Sequence, residues 1–397
     1  MYKHHSALGV ALSLKPAAPV TLIRPQAAAR AARYFSTKFP GRSLYAVKAN
    51  PSPALLETLW AAGITHFDVA SIAEVRLVAR TLPRAKLCFM HPVKAEEAIR
   101  EAYFKHGVRT FSLDSMEELD KIVRATQAAP DLELCVRLRV SSEHSKLSLA
   151  SKFGCELGDA RELLQAARQA ADALGICFHV GSQAMSPHAY VQAIERVRAA
   201  IVDASVTVDI VDVGGGFPST YPGMEPPPLE HYFSAIHRAF ESLPISYSAE
   251  LWCEPGRALC AEYSSLLVRV EKRRGNELFI NDGAYGALFD AAHLGWRFPV
   301  QLLRAEANEA DQDAFSFYGP TCDDMDHMAG PFMLPADVRA GDYIEIGMLG
   351  AYGNAMRTEF NGFGVESIAQ VADEPMASLY REEEPAPRRS NVVQLRR

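Results

Sequence analysis

The chain has 397 residues, of which 48% are apolar and 22% charged, with 41 lysines and arginines against 48 aspartates and glutamates. That length allows two domains, because one hydrophobic core rarely grows beyond roughly 250–300 residues. A net charge of −7 and a pI near 6.0 argue against a nucleic-acid or anionic-membrane partner, and no uncharged apolar run reaches the roughly 18–20 residues of a bilayer span.

From the N-terminus, residues 6–14 follow Lys3 as a short apolar run that Lys15 interrupts, with no clear cleavage site behind it. The expectation there is a first β-strand rather than a signal segment. A helical pattern follows at 26–37. From Ser43 to Gly256, short β-branched runs alternate with longer helical patterns. Strands are expected at 43–48, 66–70, 86–91, 110–115, 133–140, 176–181, 208–214 and 250–254. Amphipathic helices, with apolar residues three and four apart, are clearest at 115–126, 158–173 and 187–202.

Eight strands alternating with helices predict an α/β fold, a (β/α)8 barrel, in preference to an open doubly wound sheet. Its active site would lie at the C-terminal strand ends. Lys48, Asp68, His91, Asp114, Arg137, Arg139, His179, a triple glycine and Glu254 all fall there. After Arg257, strands at 266–271, 277–281, 314–318 and 342–346 come with frequent turns and predict a second, mainly β domain. The expected division is a barrel at 21–257 and a β domain at 258–372 joined by 1–20. A Pro- and charge-rich mobile tail is expected over 373–397.

Seven cysteines without a CxxC spacing indicate neither a disulfide framework nor a zinc site. Cys88, Cys135, Cys177 and Cys253 lie in apolar runs and read as core packing, and free thiols fit a reducing cytoplasm.

Lys48 closes the apolar run that begins at Ser43. A strand-end lysine usually reaches solvent, but one that is partly desolvated loses its proton readily and can form a Schiff base. Gly214-Gly215-Gly216 follows the seventh strand, where glycine lets backbone N–H groups close on a phosphate. Arg257 stands in the next loop to neutralise it. His179 can stack on a flat ring, the neighbouring Ser182 can donate to a phosphate, and Glu254 can keep a ring nitrogen protonated. Cys322 lies beside Asp323 and Asp324 on a Gly-Pro turn. That is ordinarily an exposed acidic turn, but it also suits a proton donor with an acceptor for a substrate ammonium group. In Gly347-Met-Leu-Gly-Ala-Tyr352-Gly, close glycines would bring the Tyr352 hydroxyl near a ligand.

These residues together resemble the fold-type III pyridoxal-phosphate decarboxylases, specifically the ornithine decarboxylase group, from about Pro19 to Gly364. The resemblance rests on Tyr45-Ala-Val-Lys-Ala-Asn-Pro51, Phe67-Asp-Val-Ala-Ser71 with Glu74, Ser151-Lys-Phe-Gly154 and Phe178-His-Val-Gly-Ser182. Gly214-Gly-Gly-Phe-Pro218, Glu254-Pro-Gly-Arg257, Gly319-Pro-Thr-Cys-Asp323 and Gly350-Ala-Tyr352 complete it. It implies an alanine racemase-like barrel with a β domain, pyridoxal 5'-phosphate as cofactor, and a homodimer. Lys48 would anchor the cofactor, His179 would stack on its ring, and Glu254 would pair with the ring nitrogen. Asp68 and Arg139 would lie around them, while Ser182, Gly215, Gly216, Arg257 and Tyr352 would hold the phosphate. Cys322 and Asp323 would come from the partner subunit, Cys322 to reprotonate the substrate carbon. Asp323, with Asp290 and Tyr285, would bind the distal end of the substrate. The 285–290 stretch is shorter than in eukaryotic relatives, which weakens the match at Asp290.

The implied reaction is decarboxylation of a basic amino acid, L-ornithine to putrescine first, with lysine or dual activity as the alternative. A diaminopimelate decarboxylase would need basic groups for a distal carboxylate, and racemases of this fold place an arginine where Glu254 stands. A binding protein that had lost catalysis would have lost the lysine, the phosphate loop or the thiol.

Overall fold

A computed structural model of the chain describes residues 3–306, 310–364 and 367–380. Eight parallel strands close into a barrel: β1 (Arg42–Ala46), β2 (His66–Val69), β3 (Lys86–Phe89), β4 (Thr110–Leu113), β5 (Glu133–Arg137), β6 (Ala173–Cys177), β7 (Ile210–Asp212) and β8 (Glu250–Cys253). Each pairs with the next in sequence, and β8 returns to β1 through Trp252 opposite Arg42. All eight expected strands are present. Each ends before its expected last residue, because the chain leaves the hydrogen-bonded ladder where the polar residues begin.

Side chains along a strand alternate between its two faces. Leu44, Cys88, Met90, Cys135, Cys177, Ile210 and Trp252, from six of the strands and the end of β3, form one buried cluster inside the barrel. The opposite faces join the main core under the helices. Two residues beyond that interior layer, the same face carries Arg137, His179, Asp212 and Glu254. Strand alternation therefore assembles the mouth of the barrel.

The expected helices occur as Pro25–Lys38, Met116–Ala125, Leu157–Ala170 and His188–Ala204. The turn after β2 is fixed by a variant of the capping box, in which Glu74 reaches back one residue beyond the N-cap Ser71. Ser71 Oγ accepts from Glu74 N at 3.2 Å, and Glu74 Oε2 accepts from Ala70 N at 2.7 Å. Glu74 thus holds the chain that presents Asp68.

The N-terminal run is a correction. Residues Ala7–Leu14 form an α-helix, not a strand, with Ser6 Oγ accepting from Gly9 N at 3.1 Å. Ala7, Val10 and Ala11 bury one face at helical spacing, and Lys15 ends the helix in the left-handed region at φ 43°. The lysine taken as an interruption is the helix stop.

Beyond the barrel lies a nine-stranded sheet. The four strands expected there occur as Ser264–Arg274, Glu277–Ile280, Gln312–Tyr318 and Tyr343–Ile346. Val20–Ile23, buried at every position, pairs antiparallel with Ser264–Arg274 and parallel with Ser367–Val371. The sheet therefore gathers described segments from before and after the barrel. Strand His327–Pro335 escapes sequence reading because Gly330 and Pro331 interrupt its β pattern.

The tail also needs correction at its start. Asp373 accepts from Arg24 Nε at 3.1 Å, and Tyr380 is buried with its hydroxyl donating to Ala258 O at 2.6 Å. Residues 373–380 are thus packed against the protein; 381–397 lie outside the described residues. Among the described residues, no helix is long and apolar enough to cross a membrane.

Candidate active site

A cavity of about 480 Å3 opens at the C-terminal ends of the barrel strands and is lined by Lys48, Asp68, Arg137, His179, Glu254 and Arg257 among others. Lys48 projects from a short turn, Val47–Ala49, that follows β1. Its Nζ donates to Asp68 Oδ2 at 3.1 Å. The Lys48 side chain keeps 42% of its surface, whereas that of Asp68 keeps 2%. Burial favours loss of the Lys48 proton, but the carboxylates of Asp68 and Glu254 outweigh it and raise its pKa above the ordinary lysine value. Asp68 therefore holds Lys48 in its ammonium form.

Glu254 is buried at the end of β8, and Asp212 is buried at the end of the neighbouring β7. Burial pushes the Glu254 carboxyl well above its usual range, with Asp212 and Asp68 adding to the effect. Burial also raises Asp212, to about 6. Asp212 Oδ1 accepts from Gly214 N at 2.8 Å, and Gly214 O in turn accepts from Glu254 N at 2.8 Å. The first glycine of the loop is thereby stitched to both strand ends.

His179 Nδ1 accepts from Gly181 N at 3.0 Å, which leaves the ring proton on Nε2. Burial, then Arg137 and Lys48, hold its pKa well below the usual imidazole value, so the ring is neutral. Gly215 packs beside it: a Cβ there would stand 2.8 Å from His179 Nε2 and 2.9 Å from Glu254 O. Gly215 O accepts from Tyr190 Oη at 3.0 Å, and Gly216 O accepts from Ala184 N at 2.9 Å. Gln183 clamps the loop's far end, exchanging two hydrogen bonds with the backbone of Ser219.

Arg257 is buried beside this loop. Its Nη1 donates to Tyr221 Oη at 3.1 Å, and Trp296 covers the guanidinium at 4.1 Å. Tyr352 reaches the same cavity from the turns after strand Tyr343–Ile346, with its amide donating to Ala49 O at 2.8 Å. Ser182 lines the cavity as well.

Five expected residues are not in this cavity. Arg139 points outward and donates to Glu156 Oε1 at 2.8 Å, while Arg137 lines the cavity instead. The ladder ends at Arg137, and residue 139 turns away to pair with Cys155. Asp290 lies 3.7 Å from Arg257 Nη2 and is not among the residues that line the cavity. Cys322, Asp323 and Tyr285 gather on the β domain. The Tyr285 hydroxyl donates to Asp323 Oδ2, and Cys322 Sγ donates to Asn361 Oδ1 at 3.3 Å. Cys322 and Asp323 line a separate cavity of about 840 Å3. Asp326 serves the turn itself: its carboxylate accepts from Ala284 N, Thr321 N and Thr321 Oγ1.

The Lys48 cavity suits an aromatic aldehyde carrying a phosphate. It offers an amine for the aldehyde, a neutral imidazole face for a ring, and a buried carboxyl for a ring nitrogen. Glycine backbone beside a guanidinium suits the phosphate, and Arg257 Nε is buried without a hydrogen-bond acceptor. The family profile "Pyridoxal-dependent decarboxylase, pyridoxal binding domain" matches residues 26–261. The chain belongs to that family. It is a pyridoxal-phosphate-dependent carboxy-lyase of the ornithine decarboxylase group, acting on a basic amino acid.

The lysine/ornithine decarboxylase of Selenomonas ruminantium is 31% identical over 83% of this chain and 84% of its own length. The ornithine decarboxylase of Mus musculus is also 31% identical, over 85% of this chain and 77% of its own. Among solved structures, the arginine decarboxylase of Paramecium bursaria Chlorella virus, bound to agmatine, superposes with a TM-score of 0.81 at 28% identity. That match covers 91% of this chain and 99% of the viral one.

Sequence reasoning places Arg137 at the mouth but assigns it no role there, and it misses Asp212 in favour of the glycines after it. Both stand two residues beyond an interior apolar residue, Cys135 and Ile210, and that spacing is the signal that finds them.

Proposed function

We propose that the chain decarboxylates L-ornithine to putrescine and CO2, a step of polyamine biosynthesis in the cytoplasm. It would act as a homodimer whose subunits exchange Cys322 and Asp323. The observation that carries this reading is the separation of the two halves of the site. Lys48, His179 and Glu254 line one cavity, and Cys322 and Asp323 line another. Either half alone is incomplete, and a second copy supplies what the first lacks.

Pyridoxal phosphate, when bound, supplies an electron sink for the bond that breaks. Lys48 is its anchor and Asp68 the acceptor that manages the Lys48 proton. His179 presents a neutral ring face, Glu254 faces the ring nitrogen, and Ser182, Gly215, Gly216, Arg257 and Tyr352 hold the phosphate. Met90, Leu149 and Phe153 give part of the cavity an apolar wall, where a carboxylate is poorly solvated and its departure as CO2 is favoured. Cys322 of the partner subunit returns a proton to the carbon that CO2 leaves.

Asp323 suits a distal ammonium group. The Tyr285 hydroxyl and the Met325 amide hold its pKa below the ordinary aspartate value, so it is ionised. Asp324 beside it adds negative charge, which disfavours the distal carboxylate of diaminopimelate. Lysine, one methylene longer, is the second reading, favoured by the dual specificity named for the Selenomonas relative.

Two measurements test this. A panel of ornithine, lysine, arginine and diaminopimelate should give putrescine from ornithine at the highest kcat/KM; faster turnover of another substrate overturns the ornithine assignment. Lys48→Ala and Cys322→Ala should each be inactive at forming diamine, and their mixture should recover about a quarter of wild-type activity from the statistical share of hybrid dimers. No recovery on mixing would remove the shared site.

A further inference from the structure

Asp212 has no part in the roles assigned above, yet it is fully buried at the mouth of the barrel. One oxygen accepts from Gly214 N at 2.8 Å. The other, Oδ2, meets no N–H or hydroxyl donor, and on the neighbouring strand the register sets Trp252 opposite Asp212, so that Glu254 follows at the same rim and acts on this carboxyl. The ion pairs at this end of the barrel go elsewhere: Lys48 binds Asp68, and Arg257 leans on Asp290. Ionising two adjacent buried carboxyls that no ion pair neutralises is costly, and an orphaned acceptor beside a carboxyl is satisfied when that carboxyl is protonated.

We propose that Asp212 is a positioning residue for the cofactor: Asp212 and Glu254 hold one proton between them in the cofactor-free chain, so the proton that a ring nitrogen needs is in place before the cofactor arrives. This rests on the reading that Glu254 faces the ring nitrogen. The surrounding charges fit it. Asp68 and Lys48 stand on the β1–β2 side, Arg137 and His179 on the β5–β6 side, the thiols of Cys88, Cys135 and Cys177 in the interior layer below, and that of Cys253 on the opposite face of β8. Asp68 resists ionisation of the pair, Lys48 and Arg137 favour it, and burial, the largest influence on both carboxyls, decides for retention of the proton. The link through Gly214 also makes Asp212 the brace between the glycine loop and Glu254.

Asp212→Asn tests this. Its amide oxygen can still accept from Gly214 N, and its NH2 can donate to Glu254, which removes the need for a shared proton. Each unit by which the Glu254 pKa then falls below the assay pH lowers its protonated fraction about tenfold. The experiment is calorimetric titration of the cofactor-free protein with pyridoxal phosphate in two buffers of different ionisation enthalpy, at about pH 8. Asp212→Asn should take up more protons on binding than wild type, by up to about one per site. In cofactor-free wild type, a raised carboxyl pKa contributes stability at acid pH that is lost as pH rises through the folded-state value. Asp212→Asn should flatten that loss above about pH 6.

Equal proton uptake and an unchanged pH profile of stability would overturn the proposal. Should the variant not fold, infrared spectra of wild type decide. A protonated-carboxyl band at neutral pH that Glu254→Gln removes supports the proposal, and its absence overturns it. Glu254→Gln also separates the two readings. Unchanged cofactor affinity and activity in that variant would sink the role of Glu254 itself, whereas impaired Glu254→Gln with equal proton uptake in Asp212→Asn sinks the role of Asp212 alone.

Discussion

Gly350 links the β domain to the mouth of the barrel, and Gly350→Ala measures how tightly. A Cβ at this position would stand 1.7 Å from Cys260 O and 2.9 Å from Ala261 O. Since Cβ contacts below 3.0 Å do not occur in practice, the segment must retreat by more than about 1.3 Å, the gap between 1.7 and 3.0 Å. Two hydrogen bonds tie the same segment to the end of β1: Asn50 Nδ2 donates to Gly350 O at 2.8 Å, and Tyr352 N donates to Ala49 O at 2.8 Å. A shift of that size is enough to break both where it carries the segment away from Ala49 and Asn50.

Overpacking costs about 1–3 kcal/mol, and each lost hydrogen bond adds about 1 kcal/mol. A total of roughly 3–5 kcal/mol lies within the stability of an ordinary domain, about 5–15 kcal/mol, so the variant should fold with a lowered Tm. The sharper effect falls on the cofactor, because Tyr352 moves with the segment. Loss of one phosphate contact worth about 1.4 kcal/mol weakens binding about tenfold. The assay is thermal denaturation together with titration of the cofactor-free protein by pyridoxal phosphate. Gly158→Ala is the control: its Cβ would meet nothing within 4 Å, at the start of helix Leu157–Ala170, so it should be neutral or slightly stabilising. Wild-type Tm and cofactor affinity in Gly350→Ala would refute the steric argument.

The two arginines at and just beyond the end of β5 should separate cleanly. Arg137→Ala should lower kcat/KM more than about tenfold, the loss of roughly one charged hydrogen bond at the cofactor. Arg139→Ala gives up only an exposed pair with Glu156 and should stay within about 1 kcal/mol of wild type; the opposite ranking would overturn the placement. At the other end, Tyr380 packs edge-on to Tyr34 at 5.2 Å and donates to Ala258 O, the residue after Arg257. Tyr380→Ala should cost about 3 kcal/mol and Tyr380→Phe about 1 kcal/mol in denaturant unfolding. If both are silent, the 373–380 segment contributes nothing to the fold.

The barrel was legible because its signal is redundant. Eight apolar runs of similar length, each followed by a polar residue and a helical period, leave few other architectures, and a slip of two residues at any one strand end changes nothing. The helix at Ala7–Leu14 was not, because a short run of apolar residues fits either period. Its cap, Ser6 bonding to Gly9 N, is visible only once the backbone is folded. The start of the tail failed for a related reason. Asp373 and Tyr380 are held by Arg24 and Ala258, partners distant in sequence, while composition reports only local polarity.

Inside the site the same distinction holds with more consequence. Motif matching found Lys48, His179, Glu254 and Arg257 because distinctive neighbours surround each. It placed Arg139 at the ring because position 139, like 137, is an arginine beside a strand end. Period-two alternation from the interior layer separates them while the strand lasts: Cys135 faces inward, so Arg137 does too, and residue 139 lies past the end of the ladder. Applied to β7, the same step runs from Ile210 to Asp212, and on β8 it runs from Trp252 to Glu254. Adjacent parallel strands in register, Asp212 opposite Trp252, then bring two carboxyls to one low-dielectric rim. Geometry that any barrel enforces thus sets the charge at the mouth, and a carboxylate that no motif marks bears on the protonation of one that every motif marks.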